Sequence, residues 1–197
     1  MKNRSLMAAL FAVVIMLPIS AHAIMLSVEP NVPSLETGEE LTVAINISDL
    51  GDGVAPSLSV FDLDLSFDSA VLGFSSASFG GQLDLFGLGN LQLATEFPGV
   101  VNLFELSFDF ASDLDTLQLP VFTLVELTFD AVSPGSSALE LSILSLGDSL
   151  GDAIDASVSN STVRVSELVA TVPVPGTLAL LLAGLVGIIG AQHKLKR

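Results

Sequence analysis

Along residues 59–68 the side chains switch character at every step. Phe61, Leu63, Leu65 and Phe67 alternate with Asp62, Asp64, Ser66 and Asp68. Successive side chains of an extended strand point to opposite sides, so this run has one apolar and one acidic face. The same period returns in residues 41–47, 104–110, 125–129 and 139–143. In 104–110 the alternation predicts an apolar face of Phe104, Leu106, Phe108 and Phe110 opposite Glu105, Ser107 and Asp109. Shorter candidate strands are 24–28, 72–78, 91–95 and 162–165. Glycine-, proline- and acid-rich turns separate them, as at Ser133-Pro134-Gly135 and Gly51-Asp52-Gly53. No stretch between the ends sustains a helical period. Eight or nine short strands, each apolar on one face, predict an all-β fold: an antiparallel β-sandwich of two packed sheets.

Charge divides the 197 residues into three parts. All 22 acidic residues lie in 24–171, where Arg164 is the one basic residue, so this segment carries a formal charge of −21. Such a surface repels nucleic acid and anionic lipid. Residues 1–23 read as a signal peptide. Lys2 and Arg4 precede an apolar run, Pro18 breaks it, and Ala21-His22-Ala23 provides an A-x-A cleavage site. Residues 172–197 begin with Val172-Pro173-Val174-Pro175-Gly176, continue without charge, and close on Lys194, Lys196 and Arg197. A helix over 176–194 is about 28 Å long, close to a bilayer's hydrocarbon thickness. The three basic residues then act as its cytoplasmic anchor. The expected order is signal peptide, one β-sandwich domain over 24–171, and a C-terminal transmembrane helix.

The middle segment has no His, Cys, Lys, Tyr or Trp. That excludes Ser-His-Asp and Cys-His catalysis, Schiff-base chemistry, and zinc sites built on His or Cys. Asp62 and Asp64 share a strand face at a separation a glycosidase pair would use, but acidic pairs on outward faces are routine, and no catalysis is expected. Calcium is the inorganic ligand that the composition allows. Asp49 and Asp52 fall in one glycine-bearing loop; Asp148, Asp152 and Asp155 form a second cluster. The alternative for both is a solvated turn. Phe79, Phe86 and Phe97, in loop-like sequence, are the aromatic residues that could meet carbohydrate, but core or rim packing is the role expected of them.

The order of the strands resembles a cohesin domain. Residues 36–48 join a glycine–acid turn to a strand, and 60–72 end in an aromatic-Asp-x-x-x-Leu step. The closing segments 124–129, 139–141, 147–148 and 161–165 follow in the same order. The residues that carry the resemblance lie on either side of 83–102. It implies a jelly-roll sandwich of the cohesin and carbohydrate-binding-module-like superfamily, whose modules bind dockerins or polysaccharide. The tail resembles the PEP-CTERM sorting signal of exopolysaccharide-producing Gram-negative bacteria, with Val174 in place of the family's usual glutamate. That resemblance implies recognition and cleavage by an exosortase. Together they lead us to expect an exported, non-enzymatic binding or scaffolding protein. It would pass through the inner membrane to the cell surface or exopolysaccharide matrix. A polysaccharide-binding module is the alternative.

Overall fold

The computed structural model describes residues 23–168. The sorting motif, the basic anchor and all of the signal segment except Ala23 lie outside the described residues. The strands run β1 (Ile24–Pro30), β2 (Ser34–Glu36), β3 (Glu40–Ser48), β4 (Leu58–Ser66), β5 (Leu72–Phe79), β6 (Asn90–Phe97) and β7 (Val100–Ser107). A helix, α1 (Ala111–Leu117), follows, then β8 (Phe122–Ala131), β9 (Gly135–Asp148), β10 (Ala156–Ser159) and β11 (Ser161–Ser166). They form two sheets, β10-β1-β3-β8-β5 and β2-β11-β9-β4-β7-β6.

The period of two accounts for the core. Leu41, Val43, Ile45 and Ile47 of β3 are buried against Phe61, Leu63 and Leu65 of β4, within one cluster that also takes in Val101, Leu103, Leu127, Leu139 and Val163. Each such side chain stabilises the fold by about 1.5–3 kcal/mol through loss of wetted apolar area. Phe129 packs edge-on to Phe67 at 5.1 Å and to Phe74 at 5.8 Å. In β9 a register shift opposite Asp62 and Leu63 leaves Leu144 exposed and brings Leu146 inward. A bulge of this kind adds one residue and resets the alternation.

Four features depart from the sequence expectation. β1–β10 and β2–β11 are parallel pairs at the ends of their sheets, so the sandwich is not wholly antiparallel. The seven-residue α1 interrupts an otherwise all-β chain. It buries only Leu114. The side chain of Gln118, just after α1, ties the helix to its surroundings. Its Oε1 accepts from Leu58 N at 2.7 Å, and its Nε2 donates to Leu58 O at 2.8 Å and Gln82 O at 3.0 Å. Phe79, expected in a loop, closes β5 and stacks on the core residue Phe61. Finally, β7 has the opposite phase: Val101, Leu103 and Glu105 are buried, while Phe104 and Leu106 face outward and Phe108 and Phe110 lie exposed beyond the strand.

Candidate functional site: the outward face of the larger sheet

Cross-strand register builds this face row by row, because residues opposite each other in a ladder share a side. Val60 lies beside Leu106, and Leu106 beside Leu91. The next rows are Asp62–Phe104–Leu93, Asp64–Asn102–Thr95 and Ser66–Val100–Phe97. On the far side of β4, β9 contributes Ser145, Ser142 and Glu140 to the last three rows. The face is therefore apolar over β6 and β7 and acidic along β4. Leu91, Leu93 and Phe97 are 43%, 51% and 54% exposed.

The two aspartates that the sequence places together are joined by a third residue. Asn102 Nδ2 donates to Asp62 Oδ1 at 2.7 Å and to Asp64 Oδ1 at 2.9 Å. One amide thus clamps both carboxylates on an open sheet surface. That arrangement fixes an acidic strip beside the apolar rows.

Glu105 lies beneath the same rows, on the inner face, and is 1% exposed. Its Oε1 accepts from Asn90 Nδ2 and, at 2.8 Å, from Gln92 Nε2, both on β6. Its Oε2 is buried without a hydrogen-bond partner. Burial pushes the carboxyl up to about 7; the Gln92 hydrogen bond opposes the shift, and the negative charge of Asp84 adds to it. Nearby, Asp109 Oδ2 accepts from Leu85 N at 2.7 Å and holds the β5–β6 loop against the end of β7. The other oxygen, Oδ1, is buried without a partner.

The calcium candidates are separate turns. Asp49 adopts φ 65°, a left-handed conformation that aspartate tolerates, and its Oδ2 accepts from Ser48 Oγ at 3.0 Å. Its loop needs glycine at position 51, where an added Cβ would lie 1.7 Å from Val54 O. Asp52 is exposed on that loop. Asp148 Oδ1 accepts from the backbone N–H of Leu150 and Asp152, closing its own turn, while the side chains of Asp152 and Asp155 are exposed. Among the described residues no group of three or more His, Asp or Glu side chains is placed to hold a metal ion. Phe86 is exposed in the β5–β6 loop, and Phe97, expected in a loop, is exposed at the end of β6.

No family model and no curated protein matches the chain. Solved structures do. A non-cellulosomal cohesin from the hyperthermophilic archaeon Archaeoglobus fulgidus aligns with TM-score 0.57 and 16% identity, over 74% of this chain and 92% of its own. The complex of Coh-OlpA with Doc918, a type I cohesin–dockerin pair from Clostridium thermocellum, aligns with TM-score 0.60 and 11% identity, over 74% and 100%. A type II cohesin domain from the cellulosome of Acetivibrio cellulolyticus gives TM-score 0.59 and 18% identity, over 72% and 95%. The two-sheet sandwich is therefore of the cohesin fold. Residues 83–102, where the sequence resemblance is weakest, supply β6 and with it Leu91, Leu93 and Phe97 of the outward face.

Proposed function

We propose that this chain is an exported, non-enzymatic binding and scaffolding protein. Its outward β9-β4-β7-β6 face takes a protein partner of dockerin-like kind: a helical segment with an apolar stripe and a basic rim. The observation that carries this reading is the row of half-exposed Leu91, Leu93 and Phe97 beside outward-facing Phe104 and Leu106. Contiguous apolar surface on a soluble domain marks an interaction site. The flanking acidic strip of Asp62 and Asp64 complements a basic rim and sets its orientation. The cohesin–dockerin complexes among the structural neighbours support the same partner class. Capture from the native envelope by tagged full-length protein tests it. One defined protein is expected with the wild type and is lost with Leu93→Asp or Phe104→Asp. Equal capture by the variants, or retention of purified polysaccharide with no protein partner, would replace this reading with the carbohydrate-binding alternative.

The sorting half of the proposal rests on residues 172–197. An exosortase cutting within 172–176 releases the domain to the cell surface or extracellular matrix; without cutting, the apolar run keeps it as a single-pass inner-membrane protein. Intact-mass measurement of envelope and medium fractions distinguishes the two fates. Val174→Glu, which restores the family's carboxylate, is expected to increase the cleaved species. Uncleaved full-length protein in the soluble cytoplasm would overturn both.

A further inference from the structure

The two sheets have four edges, and three of them are guarded. β2 has three residues and β10 four, while β5 carries a register shift between Phe74 and Ser76. Short strands and bulges are the usual protection against edge-to-edge association. The fourth edge, β6, has no such protection. It is eight residues long, pairs with β7 without a shift, and has no buried residue. Among the described residues no backbone hydrogen bond from outside β7 reaches it. Alternate residues of an edge strand turn N–H and C=O away from the sheet, so β6 presents an open hydrogen-bonding rim. The rim bears one charge, Glu96, in a chain with 22 acidic residues.

We propose that β6 pairs with β6 of a second copy, antiparallel about a two-fold axis through Ala94, joining two six-stranded sheets into one. The register follows from the sequence 91–97. A two-fold at Ala94 places Leu91 opposite Phe97, Leu93 opposite Thr95, and Glu96 opposite Gln92. Each carboxylate then meets an amide instead of its own copy, and all seven positions pair before Pro98, which has no N–H to give. A two-fold at Leu93 would leave Phe97 opposite Gly89. A two-fold at Thr95 would set Pro98 against Gln92. Pairing with an identical edge satisfies both rims at once. It also keeps the acidic domains side by side, with strands that carry a single charge each, Glu96, in contact, where a screening length of about 8 Å limits repulsion.

The chain has no cysteine, so single-cysteine cross-linking in the full chain has no background. Paired residues in an antiparallel ladder have Cα atoms about 4.5–5.5 Å apart, within disulfide range. Under mild oxidation Ala94→Cys is expected to give at least tenfold more covalent dimer than Ser112→Cys, an exposed site on α1. A mixture of Gln92→Cys with Glu96→Cys is expected to cross-link, while Gln92→Cys alone is not. Dimerisation through the C-terminal segment would show no such position dependence. Equal yields at 94 and 112 would overturn the proposal. So would cross-linking of Gln92→Cys alone at the level of the mixture, or capture of a different protein at 94. These readouts are independent of whether the sheet face binds a dockerin-like partner.

Discussion

β4 and β7 are hydrogen-bonded neighbours in one sheet, and both alternate cleanly. In β4 the apolar set, Phe61, Leu63 and Leu65, is buried, and Asp62 and Asp64 face outward. In β7 the apolar pair Phe104 and Leu106 faces outward, and Glu105 is buried. The difference teaches that alternation defines two faces without deciding which is inside. Register decides that. Glu105 is opposite Phe61, so it shares Phe61's side of the sheet whatever its own polarity. Val101 and Leu103 keep β7 in that phase, and Glu105 is accommodated by two β6 amides.

The largest test of the contrast is Leu63→Asp, which puts an unpartnered charge into the core and is expected to abolish folding of residues 24–171. Asp62→Leu, one residue away, is expected to cost about 1 kcal/mol, mainly the lost Asn102 hydrogen bond. Circular dichroism and thermal melts measure both. If Asp62→Leu were as damaging as Leu63→Asp, the assigned faces of β4 would be wrong. In β7 the pair is Leu103 and Phe104. Leu103→Ala is expected to cost about 2–5 kcal/mol and Phe104→Ala about 1 kcal/mol or less, in spite of the larger side chain removed. The reverse order in denaturant unfolding would restore the phase that the sequence suggested.

Glu105 sharpens the comparison through pH. Its folded-state value of about 7 stands above the ordinary 4.5, so the native carboxyl holds a proton that the unfolded chain has already released. Stability contributed by this group is fully present below about 4.5, falls as pH rises through the window up to about 7, and is level above it. Asp84 is the acidic group whose charge reinforces the effect. The loss amounts to roughly 3 kcal/mol. Glu105→Gln is expected to flatten the profile across that window and to melt higher than wild type at pH 8. A wild-type profile no steeper than the variant's would remove Glu105 as the cause.

The smallest effect concerns the acidic turns. Calcium, magnesium and sodium chloride at matched ionic strength are expected to raise the melting temperature by similar small amounts, through screening of the −21 charge. A calcium-specific rise, saturating with concentration, would instead require a site on the native protein.

Much of the cohesin-type core was legible because β3, β4 and β8 place long apolar side chains at every second position, a pattern that only a half-buried strand satisfies. The residues that shape the candidate face were less legible. Leu91 and Leu93 look like core alternation, and nothing local says that no opposing strand covers β6. Asn102 is a single polar residue until β7 is laid beside β4 and its amide meets two carboxylates. The parallel partners β2 and β10 are too short to show a period, and α1 buries too little to show a stripe. The sequence by itself determined that runs such as β3, β4 and β8 are strands with one apolar and one polar side, and that Cys- and His-based chemistry is absent from residues 24–168. The tertiary structure alone decided which side of β7 is inside, which sheet edge stays open, and that Glu105 is the buried acid. Those outcomes depend on register between strands distant in sequence, and a period of two is unchanged when a whole strand is turned over.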